Sequence, residues 1–190
     1  MEVSLHENKT FEKLVYSGKK VSGREFQSCI FQKCDFTESA FSHSKFLDCT
    51  FENCNLSMMK LPGSTLNNAV FKDCKVLGVN FSECLDFLFS VSFISCLIDY
   101  SSFAGKKMLK TSFIKSSLKE VSFSQTNLSG SVFEQADLNG AVFNRTNLSS
   151  ASFVSAFGFA IDPELNIVKN ASFSVHGLPG LLTKYAIKIV

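Results

Sequence analysis

The reading of the fold turns on Val121-Ser122-Phe123-Ser124-Gln125-Thr126-Asn127-Leu128-Ser129-Gly130-Ser131-Val132-Phe133-Glu134-Gln135-Ala136-Asp137-Leu138-Asn139-Gly140. A bulky apolar residue returns at every fifth position: Phe123, Leu128, Phe133, Leu138. Upstream the series continues through Leu118, Phe113, Met108, Phe103 and Ile98 to Phe93, and downstream through Phe143 and Leu148 to Phe153. A two-residue slip separates it from an earlier series in the same step: Phe26, Phe31, Phe36, Phe41, Phe46, Phe51, Leu56, Leu61, Leu66, Phe71, Val76 and Phe81. Most of the 21 Phe of this 190-residue chain occupy this central position.

Two residues before the central one stands a small side chain, such as Cys29, Cys34, Ser39, Ser44, Thr126, Ser131 and Ala136. Residues two apart share one side of an extended chain. A straight strand would send residues five apart to opposite faces, and an α-helix would set them about 140° apart. Neither buries the whole series, so the chain must turn once per pentapeptide. From Phe93 to Phe153 Phe alternates with an aliphatic residue, a pattern that repeats every ten residues. A coil with an even number of sides would then put like residues on opposite walls. Four sides satisfy this, and so would another even number.

The length suits one domain. The net charge of +2 argues neither for nor against nucleic acid. Its distribution is uneven, from mildly acidic over 21–100 to mildly basic over 101–160. No secretory leader pattern is present, and the longest weakly polar run, near Ala151–Ala160, falls short of the roughly 20 residues of a membrane span. A cytoplasmic location without membrane contact is expected, and seven Cys, an odd number, suit reduced thiols.

Ala136-Asp137-Leu138-Asn139-Gly140, Thr126-Asn127-Leu128-Ser129-Gly130 and Thr146-Asn147-Leu148-Ser149-Ser150 match the A(D/N)LXX signature, and on them the chain resembles the pentapeptide-repeat family. The resemblance covers about residues 24–158 and implies an all-β fold: a right-handed quadrilateral parallel β-helix with four pentapeptides per coil. Phe26-Gln27-Ser28-Cys29-Ile30-Phe31-Gln32-Lys33-Cys34-Asp35-Phe36 and the ending Gly180-Leu181-Leu182-Thr183-Lys184-Tyr185-Ala186-Ile187-Lys188-Ile189 resemble the Qnr-type subfamily. That resemblance implies end-to-end homodimers through a C-terminal module. It also implies binding to DNA gyrase and topoisomerase IV with protection from fluoroquinolones, the rod resembling duplex DNA in width and charge. The alternative is a generic interaction scaffold with an unrelated partner.

The expected organisation is an N-terminal cap over 1–23, with an imperfect coil beginning near residue 10. The β-helix follows over 24–158 with a register slip at 82–92, then a capping and dimerisation module over 159–190. In that module residues 178–185 read as a short helix and 186–190 as a strand, with Leu178, Leu181, Leu182, Tyr185, Ile187 and Ile189 as dimer interface. At the slip, Asp86, Phe87, Leu88 and Phe89 are candidate partner-binding residues, one or two of them forced outward as a bulge. A register repair without binding is the alternative. Lys106, Lys107, Lys110, Lys115 and Lys119 form a basic patch, read as a solvated surface with nucleic-acid binding as the other possibility. Glu38, Asp48, Asp73 and Glu83 fall on four different faces, so DNA mimicry is partial at best.

No catalytic residues are assigned. His6, His43 and His176 lie far apart, and the inward Ser and Cys residues assemble no nucleophile–base pair. No phosphate loop or H-E-x-x-H motif suggests a cofactor or metal. Cys34, Cys54, Cys74 and Cys96 stack in one column, which would offer zinc a line of thiols rather than a tetrahedron. The expectation is a non-enzymatic binding protein.

Overall fold

The computed structural model describes residues 4–188. All strand pairing among the described residues is parallel, and except across one slip the partners are 20 residues apart: Phe31 pairs with Phe51 and Phe113 with Phe133. Four walls of five residues therefore make one coil of a right-handed quadrilateral β-helix. The second wall is a nine-stranded sheet from Thr10–Glu12 to Ser172–Phe173. Nine layers at about 4.8 Å span roughly 38 Å. The first wall begins with four strands, Ser4–Glu7, Arg24–Gln27, Lys45–Leu47 and Thr65–Asn67. Single bridges carry the third wall, from Val15–Asp35 to Asp137–Phe157.

The corner lies two residues after nearly every central residue, Phe81 and Phe153 excepted. There the chain enters the left-handed region, with φ of 52° at Asp48, 59° at Gln125 and 54° at Arg145. Among the described residues no Val, Ile or Thr has a positive φ, because branching at Cβ makes that conformation most costly. At Gly63 the missing side chain has a second use: a Cβ there would lie 2.5 Å from the His43 ring one coil away.

The rings stack along the axis. Phe11, Phe31, Phe51, Phe71, Phe93, Phe113, Phe133, Phe153 and Phe173 form one continuous pile, with neighbouring centroids 4.6 to 5.5 Å apart. From Phe81 onward Phe103, Phe123 and Phe143 form a second pile on the opposite wall. The two piles meet edge to face, as at Phe113 and Phe123 (5.6 Å, 75°). Ile98, Leu118 and Leu138 on the third wall and Met108, Leu128 and Leu148 on the first fill the remaining sides. Like residues thus occupy opposite walls.

The small inward residues do more than fit. Ser64 Oγ donates to the Phe41 carbonyl at 2.6 Å and accepts the Ser44 N–H at 3.0 Å. Thr126 and Thr146 donate likewise to Phe103 and Phe123 carbonyls, and Cys49 Sγ lies 3.4 Å from the Phe26 carbonyl. Carbonyls of central residues that the parallel ladder leaves out are satisfied inside the rod.

Three expectations are corrected. The coil expected to begin imperfectly near residue 10 begins earlier, at Ser4: Ser4–Glu7, Thr10–Glu12 and Lys20–Ser22 form the first coil, in register with the next. The C-terminal helix is two 3₁₀ segments, Val175–Leu181 and Thr183–Tyr185, the first begun by Ser174 Oγ accepting the Gly177 N–H. No strand forms over Ala186–Lys188, because Ala186 turns into the left-handed region (φ 49°). Ile189 and Val190, the rest of that expected strand, lie outside the described residues.

Candidate partner-binding loop

The 20-residue step fails once. Ala69 pairs with Val91 and Phe71 with Phe93, a step of 22. The two extra residues are taken up on the first wall, where no bridge forms between Thr65–Asn67 and Lys107. A 3₁₀ turn over Phe81–Glu83 leads in, with the Asn80 side chain accepting from Ser82 N. The loop is tied to the preceding coil by Leu85 N to Ser64 O (2.8 Å) and Ser90 N to Leu66 O (2.9 Å). Asn67 Nδ2 donates to Leu88 O at 3.1 Å.

Between those ties the four candidate residues divide. Phe89 turns in and packs against Phe81. Phe87 and Leu88 turn out, 76% and 58% exposed, and Asp86 is exposed beside them. An aromatic ring held in water on a tied loop is an unusual use of Phe in a chain that buries nearly all the others.

Lys106 is the residue that sequence reasoning misplaces. Spacing groups it with the surface lysines, yet its side chain is 3% exposed. It occupies the inward position two residues before Met108, and the displaced loop leaves room for its stem. Its Nζ donates to the Cys84 carbonyl and to Asp86 Oδ1 at 2.6 Å, with the Phe89 ring centroid 5.3 Å away. The signal is its phase: a cation at a position otherwise reserved for small residues. Lys107, Lys110, Lys115 and Lys119 are exposed, and Lys119 pairs with Asp137 at 3.3 Å. They wrap successive walls of one coil rather than forming a line.

Nor do the outward residues make an acidic line. The third-wall ladder runs Asp35, Asn55, Lys75, Leu97, Ser117, Asp137. Among the described residues no group of three or more His, Cys, Asp or Glu is placed to hold a metal. The seven Cys are buried and unbridged. Burial pushes the Cys34 thiol up to about 11 and those of Cys49 and Cys84 up to about 12. No helix among the described residues is long and apolar enough to cross a membrane.

At the C-terminal end Leu178, Tyr185 and Ile187 are exposed, Leu182 is half-buried, and Leu181 packs against the core. Ile189, the sixth residue read as interface, is outside the described residues. Gly180 lies against Phe159, and its carbonyl accepts the Ile161 N–H at 2.9 Å. Lys184 fastens the tail to Asp162 (2.8 Å) and Glu164 (2.6 Å).

A closed four-walled coil with a filled axis and a corner every fifth residue defines a pentapeptide β-solenoid. The chain belongs to the pentapeptide-repeat family: a pentapeptide repeat region matches residues 24–103, and eight copies of the pentapeptide repeat match 116–153. Its fold is similar to that of QnrB1, a plasmid-mediated fluoroquinolone resistance protein. A trypsin-treated, singly substituted form superposes over 100% of both chains with a TM-score of 0.73 at 14% identity. The full-length form covers 94% of this chain and 100% of that one, with a TM-score of 0.66 at 15% identity. No curated protein matches the chain in a sequence search.

Proposed function

We propose that this chain is a non-enzymatic, cytoplasmic binding protein that engages a type II DNA topoisomerase, gyrase or topoisomerase IV, and shields it from fluoroquinolones. The observation that carries the reading is the loop over 85–89, which presents Phe87 and Leu88 to solvent while Lys106 anchors it from inside. A rigidly presented aromatic is the kind of group that dominates protein interfaces. The shared fold with QnrB1, described as a fluoroquinolone resistance protein, supports the choice of partner. The exposed Leu178, Tyr185 and Ile187 support pairing of two copies through their C-terminal ends.

Gyrase supercoiling measured with ciprofloxacin, with and without the protein, tests the reading. Relief of inhibition that is lost in Phe87→Ala supports it; no association with gyrase and no relief would sink it. The mixed signs along the third wall favour contact through the loop over DNA mimicry, and they also suit a second reading, a scaffold for an unrelated protein. Association with neither topoisomerase, alongside a different protein retained through Phe87, would favour that reading.

A further inference from the structure

Two cations occupy inward positions on the first wall, two residues before a central one, where Ser44, Ser64, Thr126 and Thr146 are the usual kind. Lys106 shows how the rod satisfies such a group. A segment lies over it and supplies a backbone carbonyl (Cys84), a carboxylate (Asp86) and a ring (Phe89). Arg24 stands in the same column at the N-terminal end, where, unlike the buried Lys106, it is exposed. Its backbone N–H donates to Ser44 Oγ at 3.3 Å, but its guanidinium has no ion pair or hydrogen bond among the described residues.

Arg24 borders a cavity of about 330 Å³ at that end. Its lining is the buried Phe26, Phe31, Phe36 and Phe41 and, stacked over the first three, His6, Phe11 and Tyr16 of the first coil, with Leu14 and Val21 beside them. Elsewhere along the axis the next layer of rings fills this space; here nothing among the described residues does. Ser4–Glu7, Thr10–Glu12 and Lys20–Ser22 each pair on one side only, so their outer edges can take another strand. The surrounding charge is positive. Over residues 4–25 Lys9, Lys13, Lys19, Lys20 and Arg24 outnumber Glu7, Glu12 and Glu25, and Glu12 is paired with Lys13 at 3.7 Å and Glu25 with Lys45 at 3.1 Å. Burial, with Lys9 and Arg24 nearby, holds the His6 imidazole below its usual range. Two such ends would repel each other, which disfavours a second copy as occupant.

We propose that the N-terminal end of the rod binds an extended segment of a partner protein carrying a carboxylate and, three residues on, an aromatic side chain. The ring lies against His6, Phe11 and Tyr16, the carboxylate engages Arg24, and the segment's backbone extends a free strand edge. This copies the way Asp86 and Phe89 cover Lys106, and it does not depend on the topoisomerase reading.

The probe is a blocked peptide, Ser-Leu-Asp-Phe-Leu-Phe, the sequence of residues 84–89 with Ser for Cys84. It is titrated into the whole protein and followed by chemical shifts. Saturable binding that moves the Phe11 and Tyr16 signals is expected, weakened about tenfold or more by Asn in place of the peptide's Asp and by Arg24→Ser. Arg24→Ser restores the residue type usual in the column; Arg24→Gln serves as a second variant if it fails to fold. The proposal is overturned by absence of saturable binding, by binding indifferent to the Arg24 variants, or by shifts confined to other parts of the rod. Self-association through this end, seen as a sedimenting mass that falls in Arg24→Ser, would equally overturn it.

Discussion

Lys106 Nζ lies 2.6 Å from Asp86 Oδ1, joining a buried ammonium to an exposed carboxylate one coil away. The pair spans the boundary between the core and the only point where the described coils lose their 20-residue step. Its consequence is mechanical: the loop that shows Phe87 to solvent is held from underneath.

Replacing Lys106 by Met keeps the stem and removes the charge-assisted bonds to Cys84 and Asp86. The loss should appear locally, as faster amide exchange over residues 85–90 and earlier proteolytic cutting there, with the stacked coils still protected. Unchanged exchange at the loop would show that Leu85 N and Ser90 N alone hold it.

Phe133 sits between Phe113 at 5.1 Å and Phe153 at 4.6 Å in the continuous pile, with no exposed surface. Phe133→Ala opens a cavity between two rings fixed by their own coils, and should cost about 3–5 kcal/mol. Denaturant melting measures it. A cost below about 1 kcal/mol would mean that the neighbouring coils collapse into the gap.

At the exposed corner residue Gln125 φ is 59°. Gln125→Val should be less stable than Gln125→Asn by about 1–2 kcal/mol, since only the former places a branched Cβ in the left-handed region. Equal melting of the two variants would remove the steric explanation for the absence of Val, Ile and Thr from these corners.

Lys184 holds Asp162 below the usual carboxylate range. It does the same to Glu164, with help from the Tyr185 hydroxyl. Carboxylates depressed in the folded state contribute stability above their unfolded value of roughly 4, and that contribution fades as pH falls through the folded value. The two carboxylates raise Lys184, whose contribution is complete below its unfolded value of roughly 10.4 and fades only as pH rises through the higher folded one. The tail should therefore stay docked across neutral pH and loosen first on acidification. Tyr185 signals should sharpen below about pH 4 while core signals hold.

The thiols give a simple check of the filled axis. Burial raises Cys34, Cys49 and Cys84, and all seven Cys are enclosed. A thiol reagent at pH 8 should label the native protein slowly and all seven sites promptly after denaturation. Rapid native labelling at any one Cys would place that wall open.

Phe and Leu at every fifth residue were enough to require a corner per pentapeptide, because no straight element keeps such a series on one side. The alternation from Phe93 to Phe153 likewise foretold like residues on opposite walls, seen in the Phe103 and Phe113 piles. Periodicity could do this because each pentapeptide faces a near-copy of itself one coil away. It could not say that Ser64 or Thr126 bonds the carbonyl of a central residue, since that depends on a residue 23 positions earlier.

The sequence by itself determined the repeating coil, its interior and the place where the register breaks, since all three follow from a local spacing that every layer repeats. Only the tertiary structure decided which residues the break exposes. Phe87 and Phe89 are chemically alike and two apart, and what turns one outward and the other in is the space around Lys106, created by coils on either side. The open bowl at Arg24 has the same origin: a side chain's fate at an inward position depends on whether another layer covers it.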